Sequence, residues 1–93
     1  MNNKNILFKV DWTEFLKGEV QLICQEKTDA YLLLEVCKKN NIKTGDIKVD
    51  DYLSIPYWYI LNNELVITKI VLDNDNLKYI TIAKDFMEQK HFE

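Results

Sequence analysis

Arginine is missing from this chain: all twelve of its basic side chains are lysine. The guanidinium fork that grips phosphates, carboxylates and guanine edges is therefore unavailable. Histidine occurs once, at His91, in a segment expected to fray. Serine also occurs once, at Ser54, with no histidine near it in sequence, whereas a nucleophile needs a base within hydrogen-bond reach. The two cysteines, Cys24 and Cys37, cannot close a zinc site that wants four ligands. Both fall where the apolar pattern predicts core, and free buried thiols in a reducing compartment are the expectation. No catalytic set, metal or cofactor is expected from this inventory. Long apolar runs are missing too: Tyr31–Leu34 and Ile55–Leu61 fall far short of the ~20 residues that cross a membrane. The opening Met1-Asn2-Asn3-Lys4-Asn5 lacks the apolar stretch of a secretory signal, so a cytoplasmic location without a membrane partner is expected.

What is present suits one domain. The chain has 93 residues, 47% of them hydrophobic and 29% charged, with a net charge of −3. The charge is uneven: residues 1–45 carry about +1 and residues 46–93 about −4. Neither half is a basic patch, so direct nucleic-acid binding is not expected. The acidity is also too slight to imitate DNA, which presents about one charge per 1.7 Å of duplex.

Periodicity predicts an α+β domain: a mainly antiparallel sheet of four or five strands with one long helix, about 29–40, packed on one face. Ile6–Val10 reads as a short strand. Asp11 and Glu14 have the spacing of a capping box, and Gly18 suits a left-handed stop after a helical turn over 12–17. Glu19–Gln25 alternates, with Val20, Leu22 and Cys24 on one face and Gln21, Ile23 and Gln25 on the other. Thr28 is the expected cap of the long helix, whose apolar stripe is Ala30, Leu33, Leu34 and Cys37, widened by Leu32 and Val36. Asp29 in its first turn and Lys38 and Lys39 in its last suit the helix dipole. Asn40 or Asn41 suits the left-handed position at its end, with Ile42 folding back. Gly45-Asp46 reads as a turn, and Ile47 and Val49 as a short edge strand. A meander is expected to follow: Tyr57–Leu61, a hairpin turn at Asn62-Asn63, Glu64–Leu72, a turn at Asp73–Asn76, then Leu77–Ala83. Asp85–Lys90 is expected to form a final helical turn.

Two acidic clusters, Asp46/Asp50/Asp51 and Asp73/Asp75, lack the glycine and terminal glutamate of a calcium loop and read as solvated turns. The segment from Tyr52 to Tyr59 is richer in implication. Tyr57 and Tyr59 share one strand face and Trp58 takes the other, so one set is exposed if one face of the sheet is open. Asp46, Asp50, Asp51, Tyr52, Tyr57, Trp58 and Tyr59 together are the expected partner-binding surface, acidic and aromatic.

The spacing Phe15-x-x-Gly18-x-Val20-x-Leu22-x-Cys24, then Ala30-x-x-Leu33-Leu34-x-x-Cys37 and Ile42, resembles small α/β proteins encoded by phages and mobile elements of AT-rich bacteria. The likeness spans about residues 6–72, rests on hydrophobic spacing, and carries no functional residue across. It implies a setting in which accessory genes encode inhibitors of host defence or regulators. The resulting expectation is a non-catalytic protein that inhibits a host protein by direct contact. Its target would be a nucleic-acid-binding defence protein whose basic groove complements the acidic surface. The alternatives are a sponge for a small nucleotide signal and an antitoxin or transcription accessory, and self-association as a homodimer fits an exposed strand or aromatic patch.

Overall fold

In a computed structural model the described residues are 10–50, 54–72 and 74–90. They form α1 (Thr13–Leu16), β1 (Val20–Ile23), α2 (Lys27–Lys39), β2 (Tyr57–Leu61), β3 (Glu64–Thr68), β4 (Tyr79–Ile82) and α3 (Ala83–Gln89). Helices around a mixed sheet of four strands make this an α+β domain. The expected strand at Ile6–Val10 lies outside the described residues except for Val10, which is buried.

The strand order is β3-β2-β1-β4. β2 is antiparallel to β1 and β3, while β4 runs parallel to β1 with Val20 opposite Tyr79 and Ile23 opposite Ile82. The sheet is thus mainly antiparallel, but the last three strands are not a continuous meander. After the hairpin the chain returns to the far side of β1. Three consecutive β1 residues, Val20, Gln21 and Leu22, are fully buried, which marks an interior strand that needs neighbours at both edges. The Lys78 N–H donates to the Glu19 carbonyl at 2.8 Å, and the Lys78 ammonium pairs with the Glu19 carboxylate at 3.4 Å, just where the parallel ladder starts.

Short-range signals set the local geometry. Asn62 and Asn63 both have positive φ, 53° and 64°, the conformation of a two-residue hairpin turn whose twist matches its strands. β3 ends at Thr68, short of Leu72, because the Ile70 N–H turns onto Thr68 Oγ1 at 3.2 Å and leaves the ladder. At the end of α2, Asn41 takes φ 59°, and the Ile42 and Asn41 N–H groups donate to the carbonyls of Cys37 (2.9 Å) and Lys38 (3.3 Å). That is the paired bond pattern of a left-handed helix stop, and it seats Ile42 in the core. The start of α2 differs from expectation. Glu26, extended at φ −131° and ψ 147°, takes the capping position without a side-chain capping bond, and Thr28 is the second residue of the helix. A cap is worth only about 1 kcal/mol, less than burying the stripe that starts at Ala30. Asp11 likewise accepts from the Thr13 N–H at 3.0 Å in a local turn, and Glu14 reaches elsewhere instead of closing a capping box.

One cluster of buried side chains joins Val20, Leu22, Trp58, Ile60 and Leu65 of the sheet with Ala30, Leu33 and Cys37 of α2. Trp12 of the α1 turn packs edge-on to Phe15 (6.1 Å between ring centres) and tilted against Phe86 of α3 (5.8 Å). α3 begins at Ala83 and buries Ala83, Phe86 and Met87, so it is a core element where only a terminal turn was expected. Ile47 and Val49 do not form a strand; they lie half-buried against the core, and Lys43 makes the bridge to Glu64.

Candidate functional site

The expected aromatic surface is divided by the fold. Trp58 and Tyr59 are 0% and 1% exposed, so neither ring is available to a partner, which corrects the expectation for both. The cause is a sheet covered on two sides. Trp58 enters the main core, and Tyr59, on the opposite face, donates its hydroxyl proton to the Gly18 carbonyl. On that same face the fully buried Gln21 side chain donates to the Ile70 carbonyl at 3.2 Å and accepts from the Leu72 N–H at 3.3 Å, pinning the strap that follows β3. The alternation of β1 gives Gln21 a face and no partner. Tyr57 is half-buried at the start of β2, Asp46 and Asp50 are exposed, and Asp51 and Tyr52 lie outside the described residues.

Asp50 lines a different feature. A groove of about 370 Å³ runs between α2 and residues 47–50. Tyr31, Leu34, Glu35 and Lys38 line it from the helix, and Ile47, Lys48, Val49 and Asp50 from the facing segment. Tyr31, Glu35 and Lys38 follow the i, i+4, i+7 spacing of one helix stripe, adjacent through Leu34 to the buried stripe of Ala30, Leu33 and Cys37. Tyr31 opens the apolar run Tyr31–Leu34, yet its side chain is turned out and 55% exposed. Its helical phase relative to Ala30 and Leu33 is the signal that places it outside the core. The Lys27 ammonium lies 6.0 Å from the centre of the Tyr31 ring and 3.8 Å from Asp50 Oδ1.

Elsewhere several titratable groups are bonded or buried within the scaffold. Glu14 Oε1 pairs with the Lys90 ammonium at 2.6 Å and accepts from the Tyr79 hydroxyl at 2.8 Å, joining α1, β4 and the end of α3. Those two bonds hold the Glu14 carboxyl below its ordinary pKa. Burial, with the adjacent Glu14 carboxylate, pushes the Tyr79 phenol up to about 12. Burial pushes the thiols of Cys24 and Cys37 up to about 12 as well. Asp29 is 8% exposed, and its Oδ2 has no hydrogen-bond partner. Burial and then the Glu26 charge raise its pKa, against the opposing pull of Lys84. Ser54 is exposed, while His91 and Asp73 lie outside the described residues. Among the described residues no three His, Cys, Asp or Glu side chains are grouped to hold a metal ion. No helix there is long and apolar enough to cross a membrane.

No family model, curated protein or solved structure matches this chain.

Proposed function

We propose that this is a non-catalytic binding protein that acts by direct contact with another protein, through the groove between α2 and residues 47–50. The observation that carries the reading is the Tyr31 ring, turned out from a rigid helix into a groove whose floor is apolar and whose rim is charged. A tyrosine held in this way offers a large contact area at little entropic cost, and such residues dominate binding energy in protein interfaces. Asp50, exposed in the same lining, brings one acid of the expected surface to this groove. In the phage-like setting that the hydrophobic spacing resembles, the partner is a host protein. The carboxylates of Glu35 and Asp50, balanced in the same lining by Lys38 and Lys48, fit a nucleic-acid-binding defence protein through single basic side chains rather than through a net acidic field.

The test is capture from host lysate by the tagged chain, with and without nuclease, beside the same chain carrying Tyr31→Ala and Asp50→Lys. One stoichiometric protein that survives nuclease and is lost with the double variant supports the reading. Retention of the same protein by a folded double variant refutes the groove as the contact surface. A partner that vanishes with nuclease refutes direct protein contact.

A further inference from the structure

We infer that the groove is a receptor for a guanidinium group: an arginine side chain of the partner that stacks on the Tyr31 ring and forks onto the Asp50 carboxylate. The inference rests on the groove being the contact surface and names the chemistry that fills it. In the folded chain the Lys27 ammonium already stands at this place, and its contacts there are loose. Its ammonium sits 3.8 Å from Asp50 Oδ1 and 6.0 Å from the Tyr31 centre, at the outer limit of both an ion pair and a cation–π contact. Both members of the pair are open to water, with side chains 56% and 77% exposed. An ammonium is compact and strongly hydrated, so it gains little from a ring face. A guanidinium is flat and weakly hydrated, stacks on aromatic rings, and presents two parallel N–H groups to a carboxylate.

The groove supplies both halves of that recognition. Tyr31 offers the ring and Asp50 the carboxylate, and Glu35 lies one helical turn beyond Tyr31 with a second carboxylate. Net charge does not select the ligand, because Lys38 and Lys48 also line the groove. Lys38 lies about 10 Å further along the helix than Tyr31, so the ring and the Asp50 carboxylate define one end. The chain has no arginine, and the guanidinium must come from another molecule. Partner binding then exchanges an internal lysine for an external arginine, and Lys27 is a built-in weak competitor.

The test is an NMR titration of the full chain with N-acetyl-arginine amide and N-acetyl-lysine amide at low salt, following the Tyr31 ring resonances. The arginine derivative is expected to reach half-saturation at a concentration about two- to fivefold lower than the lysine derivative, as an added ring contact implies. Lys27→Met is expected to tighten arginine binding about twofold or more by removing the competitor, and Asp50→Asn to weaken it about fivefold. Equal half-saturation for the two derivatives overturns the inference, as does a Lys27→Met variant with unchanged affinity. If that happens while the groove variants still lose the captured protein, the contact surface stands and the arginine assignment alone fails.

Discussion

Replacing Gly18 by alanine is expected to cost about 3 kcal/mol of folding stability, and the structure shows why. Gly18 has φ +74°, a region that costs an L-residue about 1–2 kcal/mol. A Cβ built there would also lie 2.5 Å from the Ile60 carbonyl oxygen and 3.3 Å from the Tyr59 hydroxyl. The first of these is backbone inside the sheet and cannot swing aside, so the turn must move, at the roughly 1–3 kcal/mol typical of overpacking. Reduced freedom of the unfolded chain returns only about 0.4–1 kcal/mol. Moving the turn also breaks the Tyr59 hydroxyl bond to the Gly18 carbonyl. Tyr59→Phe alone is expected to cost about 1–2 kcal/mol, because a buried carbonyl loses its donor. The double variant should cost less than the two singles together, since the displaced turn has already lost that bond. Gly45 is the control: it has φ +58° but nothing within 4 Å of a Cβ, so Gly45→Ala should cost only the backbone term, about 1 kcal/mol. Guanidinium unfolding followed by fluorescence of the buried Trp12 and Trp58 reads all four variants. Equal losses for Gly18→Ala and Gly45→Ala, or strict additivity of Gly18→Ala and Tyr59→Phe, would refute the close-packed turn.

Three further outcomes follow from the titratable groups. Glu14→Gln should lose about 1 kcal/mol at pH 7, because Glu14 bonds Lys90 and Tyr79. The folded chain holds this carboxyl below its ordinary 4.5, so its contribution is full above that value and fades as pH falls through the folded pKa. Parent and variant unfolding midpoints should therefore converge in acid. Asp29→Asn should behave in the opposite way. Its raised pKa means the buried carboxylate carries its cost at neutral pH and is relieved as pH falls, so the variant should melt a few degrees higher at pH 7, with a smaller gain in acid. A lower midpoint for Asp29→Asn at pH 7 would show that the helix N-terminal field outweighs the burial penalty. Finally, with both thiols buried and pushed up to about 12, Cys24 and Cys37 should resist a disulfide reagent at pH 8 and react once guanidinium unfolds the chain. Fast modification of the native protein would contradict the core placement.

The parts of the fold that could be read in advance are those written in neighbouring residues. Asn62-Asn63 between two alternating runs marks the hairpin, and β2 occupies Tyr57–Leu61 as its pattern predicts. The stripe from Ala30 to Cys37 and the stop at Asn41 and Ile42 likewise rest on local chemistry. Pairing between distant strands leaves no such mark. Alternation tells which face Ile80 and Ile82 take but not that β4 joins β1 in parallel. The same limit governs the site. Strand alternation places Trp58 and Tyr59 on opposite faces, yet whether either face meets water depends on a strap held by Gln21, 49 residues before the carbonyl it bonds. Tyr31 was legible only through its phase on the helix, because its identity suits core and surface equally. Asp50 gains its meaning from Lys27 and Tyr31, which the chain brings to it across the length of α2 and the turn beyond.

The most direct test of the groove as a protein-binding surface is quantitative capture from nuclease-treated host lysate by the parent chain and by the Tyr31→Ala, Asp50→Lys variant, both verified as folded by circular dichroism. The groove account predicts one stoichiometric protein on the parent and at least a tenfold loss on the variant, the scale of removing one aromatic anchor and one charge pair. Equal capture by the two chains would contradict it and move the contact surface away from α2 and residues 47–50.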